Sequence, residues 1–220
     1  MSSALPYPTT VYGVALNDQA MLDRMSESLT QPPYQKPPVA PILYIKTRNT
    51  FASQGASVPV PSDPGIVRID AVIGKKASRV DAKTALDYVE GFLIVSDVTL
   101  PHDNYYRPAV RQRCRDQFCP MSITVARDEA LKKGFNPDSA DIAISINGIQ
   151  VHSRALHTLV LPLSRLIADV TEFMTLLPGD VLLVGPPDAA PLARPDDHVR
   201  IDVAGLGSLE HRLVAETKEQ

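Results

Sequence analysis

Apolar and polar positions along this chain fall into short blocks of period two, broken by a few stretches of helical period. Val11 to Leu16, Ile42 to Lys46, Ile66 to Gly74, Val181 to Val184, Val199 to Val203 and Leu209 to Val214 read as strands. Asp70 is a charge in the middle of the third of these. Gly91 to Ser96 (GFLIVS) is a continuous apolar run and predicts a central strand ending at Asp97. Asn147-Gly148, between Asp141 to Ile146 and Val151, is a hairpin signal, because both residues accept positive φ. Helical spacing appears in Met21, Met25 and Leu29, behind a cap at Asn17 and a helix starting at Asp18. It recurs in Ala85, Leu86 and Val89 behind Asp81. A longer stripe runs through Leu163, Leu166, Ile167, Val170, Phe173 and Met174 and is closed by Pro178-Gly179.

The chain has 20 prolines against 11 glycines. Proline fixes φ and removes a ladder donor, so elements must be short and turns many. This points to a mixed α+β fold, mainly β, and away from a helical bundle or a doubly wound sheet. Five prolines lie in residues 31–41 (QPPYQKPPVAP), read as an extended arm on the surface and not a domain linker. The whole of residues 1–220 is expected to form one domain.

Composition changes this picture little. The chain is 44% hydrophobic and 21% charged with net charge −3, so nothing basic enough for a nucleic-acid surface is present. No apolar run is long enough for a membrane span, and the N-terminus lacks the pattern of an export signal. The expected location is cytoplasmic, with Cys114 and Cys119 reduced. Two thiols at this spacing are also too few for a zinc site.

The chemistry-bearing residues concentrate between Asp97 and Asp116. Arg107, Arg111, Arg113 and Arg115 fall within nine residues and could fork onto carboxylates. A solvated loop whose arginines pair with nearby aspartates has the same composition. His102 beside Asp103 could move a proton, and Asp97 could do so at a strand end, though a loop histidine is more often only solvated. His152 and His157 lack the spacing of a metal pair on one helical turn. No phosphate-binding glycine loop or nucleophile elbow is present.

Taken in order, YIKTRNT (Tyr44 to Thr50), AVIGKKASRV (Ala71 to Val80), DYVEGFLIVSDV (Asp87 to Val98), YYRPAVRQRCRDQFCPM (Tyr105 to Met121), Asn147-Gly148 and EFMTLLPGDVLLVGPP (Glu172 to Pro187) resemble the fumarylacetoacetate hydrolase family. The resemblance covers nearly the whole chain and implies a mixed β-roll or sandwich with a few peripheral helices. Its YYRP…CRD…CPM run is similar to members that act as isomerase and decarboxylase in homoprotocatechuate (4-hydroxyphenylacetate) catabolism. Those members carry two copies of the domain, and this chain resembles the N-terminal copy. The expected substrate class is an unsaturated di- or tricarboxylate.

The family's Mg²⁺ or Mn²⁺ site uses a Glu-x-Glu pair on one strand and an aspartate at the end of the next core strand. Here the glutamate positions hold Ile66 and Arg68, and Asp97 alone remains. A dication finds no lone pair on either replacement. The family's histidine position is Met21, its substrate-contacting lysine is Arg113 and its threonine turn is Pro186, whereas Lys46 and Asp116 are kept. The pocket residues implied are Lys46, Arg68, Asp97, Arg107, Arg113 and Asp116, with no bound metal and with Arg68 expected to pair with Asp97. Three functions fit: a subunit acting with a metal-bearing paralogue, in a homo- or hetero-oligomer; a metal-free isomerase using His102 or Asp97; or a protein that binds a metabolite without turning it over.

Overall fold

The computed structural model describes residues 8–61, 65–66, 69–70, 79–102 and 104–216, with 65–66 and 69–70 described by backbone alone. The longest alternating segments build a five-stranded sheet in the order Ile149–Ala155, Asp141–Ile146, His198–Val203, Gly207–Ala215, Ser57–Val60. Its pairs are antiparallel except the last. Asn147 (φ 52°) and Gly148 (φ 79°) make the expected hairpin turn. One face carries Ile142, Ile144, Val199, Ile201, Leu209 and Leu213, all buried.

Four helices are described: α1 (Gln19–Leu29), α2 (Val110–Arg113), α3 (Arg127–Lys132) and α4 (Leu163–Phe173). The α4 stripe of Leu163, Leu166, Ile167 and Val170 enters the same core as that sheet face. Each such side chain is worth roughly 1.5–3 kcal/mol of burial. None of the described helices is long and apolar enough to cross a membrane.

Two smaller sheets position the candidate site. In one, Val11–Ala15 lies between parallel Val181–Leu183 and antiparallel Ile42–Lys46. In the other the order is Phe51–Ser53, Cys119–Met121, Val95–Ser96, Ile69–Asp70. Val11, Val181 and Leu183 from the first meet Val95, Cys119 and Met121 from the second in one apolar cluster, with Tyr44 packed on it. The strand end at Asp97 is thereby held beside Ile42–Lys46.

Several elements differ from the sequence expectation. GFLIVS is two short strands. Gly91–Phe92 pairs with Val125–Ala126, and Val95–Ser96 belongs to the four-stranded sheet. The run is apolar throughout because it passes between two sheets. Gly91 is required there, since a Cβ would sit 2.5 Å from the Val125 carbonyl oxygen. Asp81 opens a turn, accepting from the Lys83 N–H at 2.8 Å, and only a 3₁₀ segment, Ala85–Tyr88, follows. The cap of α1 is Asp18, whose side chain accepts from Met21 N–H. Asn17, buried, instead joins Leu161 and Val184 through three hydrogen bonds of 2.7–3.0 Å. The long helix stops at Phe173, before Pro178-Gly179, because extended backbone at Met174 lets Leu176 enter the core. Of the strand expected over 66–74, the described residues include the pairs Gly65–Ile66 and Ile69–Asp70.

Residues 31–41 hold no helix or strand. Tyr34 packs on Leu16, Met21, Met25 and Leu29, and its hydroxyl accepts the Tyr105 N–H at 2.8 Å. Cys114 is half-buried and Cys119 is buried, and no disulfide joins them.

Candidate functional site: a carboxylate held by two cations

Alternate residues on a strand face one side, so Tyr44 and Lys46 on Ile42–Lys46 reach the same region. Gly13 is the register partner of Tyr44. A Cβ at Gly13 would lie 2.1 Å from the Tyr44 ring, so the absent side chain lets the tyrosine cross its neighbour strand. Tyr44 then donates its hydroxyl to Asp97 Oδ2 at 2.5 Å.

The Lys46 ammonium has three oxygens around it: Asp97 Oδ1 at 2.7 Å, the Arg113 carbonyl at 2.8 Å and the Val98 carbonyl at 2.9 Å. The two carbonyls accept hydrogen bonds from it, and the carboxylate oxygen makes the ion pair. Arg113, in the last position of α2, donates Nη1 to Asp97 Oδ2 at 3.0 Å and stacks its guanidinium 3.9 Å from the Tyr44 ring centroid. Lys46, Asp97 and Arg113 are all buried, at 1%, 0% and 3% exposure.

Burial alone would raise the Asp97 pKa, but Lys46 and Arg113, with the Tyr44 hydroxyl, outweigh it and hold the carboxyl at about 2. Burial likewise opposes the charge on Arg113, yet Tyr44 and Asp97 raise its pKa above the ordinary value. The cluster is therefore two cations around one anion.

Behind Asp97, Ser96 faces the other side of its strand, and His211 Nε2 lies 2.9 Å from Ser96 Oγ. Burial, and then His198, depress the His211 pKa to about 4, so this ring is neutral at pH 7. The pair links the four-stranded sheet to Gly207–Ala215.

Of the residues expected from sequence, Lys46, Asp97 and Arg113 come together. Asp116 accepts from Asn49 Nδ2 at 2.6 Å on the exposed side of the loop. Arg107 and Arg111 are exposed, and Arg115 pairs with Glu216. His102 rests on the Tyr105 ring, centroids 5.1 Å apart. Met21 is buried under Tyr34 and Tyr105. Arg68 and Asp103 lie outside the described residues, and with them the expected Arg68–Asp97 pair. Tyr44 and His211 were missed as site residues, although strand alternation signals both. Tyr44 shares the face of Lys46, and His211 falls in the inward register of Leu209 and Leu213.

Among the described residues, the donors around Asp97 do not fit a divalent ion. Both Asp97 oxygens already face cationic donors, and among the described residues no three His, Cys, Asp or Glu side chains gather in a metal-holding group. The positions on either side of residue 67 are an isoleucine and an arginine. A dication about 4 Å from a fixed cation is repelled by roughly 8 kcal/mol at an effective dielectric of about 20, and here two cations oppose one carboxylate.

Comparison with known proteins places this geometry in context. The chain is 35% identical over 210 residues to the 4-hydroxyphenylacetate degradation bifunctional isomerase/decarboxylase of Salmonella dublin, covering 94% of this chain and 47% of that enzyme. It is 34% identical to the homoprotocatechuate catabolism bifunctional isomerase/decarboxylase of Escherichia coli, covering 48% of that enzyme. The chain thus spans about half the length of these curated relatives and matches their N-terminal half. Its fold is similar to fumarylpyruvate hydrolase from Pseudomonas aeruginosa, solved with Mn²⁺ and pyruvate, at TM-score 0.80 and 19% identity over 98% of this chain and 93% of that one. It is also similar to 5-carboxymethyl-2-hydroxymuconate delta-isomerase from Mycobacterium smegmatis, at TM-score 0.78 and 24% identity over 98% and 82%. The family model for the fumarylacetoacetate (FAA) hydrolase C-terminal domain matches residues 10–214, and this chain belongs to that family.

Proposed function

We propose that this chain is a subunit of an isomerase/decarboxylase of 4-hydroxyphenylacetate (homoprotocatechuate) breakdown, the two activities being 2-hydroxyhepta-2,4-diene-1,7-dioate isomerisation and 5-oxopent-3-ene-1,2,5-tricarboxylate decarboxylation. In this reading its own metal site is degenerate, and it works beside a paralogous domain that retains the carboxylate ligands. The observation that carries the reading is the Asp97 carboxylate, shared between Lys46 and Arg113. The likeness to half of a two-activity enzyme supports the need for a partner.

An assay of this chain alone, and mixed with a homologous chain that retains the two glutamates, each with and without Mn²⁺, tests this. Turnover of the unsaturated dicarboxylate is expected only in the mixture. Mn²⁺-dependent turnover by the chain alone overturns the proposal.

A second reading is a metal-free isomerase, or a protein that only binds the dicarboxylate. One observation favours it: among the described residues, buried Arg113 Nη2 has no hydrogen-bond partner, and it suits one carboxylate oxygen. Turnover by the lone chain that is indifferent to chelator selects the isomerase. Saturable dicarboxylate binding without turnover selects the binding protein.

A further inference from the structure

A cleft of about 610 Å³ opens on the polar side of α1, between that helix, residues 152–159 and the turn at Pro187 and Asp188. Its volume is that of a small-molecule site, and it shares no lining residue with the Asp97 cluster.

The charges in it are arranged by depth. Arg154 is 7% exposed and Asp18 3%. The Arg154 guanidinium donates to the Gly185 carbonyl at 2.7 Å and stands 3.4 Å from Asp18 Oδ2, which Thr158 Oγ1 also approaches at 3.2 Å. At the mouth lie Asp23, exposed and accepting from Gln19 at 2.8 Å, and Asp188, paired with Arg24 at 2.7 Å. Between floor and mouth is His152, whose buried Nε2 makes no hydrogen bond among the described residues. Burial and the neighbouring Arg154 depress its pKa, so the ring is neutral at pH 7 and keeps one donor and one acceptor.

A simple anion entering this cleft meets the guanidinium but also three aspartates. A simple cation meets the aspartates but also Arg154 and, at the mouth beside Asp188, Arg24. A molecule carrying both charges can match each end. The buried Nε2 of His152, open among the described residues, supplies a further hydrogen bond.

We propose that this cleft binds a small α-amino-acid-like zwitterion, its carboxylate directed to the Arg154 and His152 side and its ammonium to Asp23 and Asp188. The site is separate from the Asp97 cluster and does not depend on the function proposed for it.

The test is a titration of the full chain with L-alanine, acetate and ethylamine, read on the His152 ring resonances, which His152→Gln assigns. L-alanine is expected to shift them saturably, and to bind at least about tenfold more tightly than either single-charge probe. In a variant carrying Asp23→Asn and Asp188→Asn, both at the mouth, the preference for alanine over acetate is expected to vanish. The buried His211 ring reports an intact fold throughout. Acetate binding as well as alanine in the unaltered chain, or no saturable shift with alanine, overturns the proposal.

Discussion

Lys46 Nζ lies 2.7 Å from Asp97 Oδ1, and both side chains are wholly shielded from solvent. An ammonium and a carboxylate so placed are a poor source of net stability but a strong constraint. Removing Asp97 leaves two buried cations unopposed, and removing Lys46 leaves Asp97 to Arg113 alone and strips the Val98 and Arg113 carbonyls of their donor. Lys46→Met is expected to destabilise the chain by about 3–5 kcal/mol in urea unfolding. The double variant with Asp97→Asn is expected to be less unstable than the sum of the single variants. Additive losses would show that the two side chains are not energetically coupled.

Acid stability follows from the same pair. The folded pKa of Asp97, about 2, is below its ordinary value of 3.8. Between those values the unfolded chain binds the proton first. The contribution is therefore complete above about pH 4 and is lost as pH falls toward 2, with ~2 kcal/mol at stake. Asp97→Asn should flatten the stability profile in that window. An unchanged slope would contradict the assignment.

His211 acts at higher pH. Its folded value of about 4 against an ordinary 6.5 means that the unfolded chain gains a proton first as pH falls. Stability is expected to fall from pH 6.5 to 4 by up to ~3 kcal/mol, then to level off for this group. His211→Gln should remove that slope, and retention of it would place the titration elsewhere.

Gly13 is a position where sequence alone offers no reason for glycine and the structure does. A Cβ there would strike the Tyr44 ring at 2.1 Å. Gly13→Ala is expected to cost about 1–3 kcal/mol and to displace the tyrosine from Asp97. Tyr44→Phe should leave that packing intact while removing the hydroxyl's hydrogen bond. A stable Gly13→Ala chain with unchanged tyrosine fluorescence would contradict the close approach.

The long strands, the Asn147-Gly148 hairpin and the buried faces of α1 and α4 were legible in the sequence, because each is fixed by a period its own residues carry. GFLIVS misled for a physical reason: a segment buried on both faces while crossing between sheets has no period to read. Asp18 and Asn17 were confused because both are good caps, and only the distant Leu161 and Val184 show which one is used elsewhere. In the site, Lys46, Asp97 and Arg113 were found through their motifs. Their mutual contact is set by three segments of two sheets and a helix, which no local pattern encodes.

Manganese binding by the chain alone measures most directly whether Lys46 and Arg113 have replaced the ion. Folding should be indifferent to millimolar Mn²⁺, with neither a rise in Tm nor heat in calorimetric titration, since only a ligand selective for the folded state stabilises it. A stoichiometric Mn²⁺ complex that raises Tm and disappears in Asp97→Asn would contradict the account.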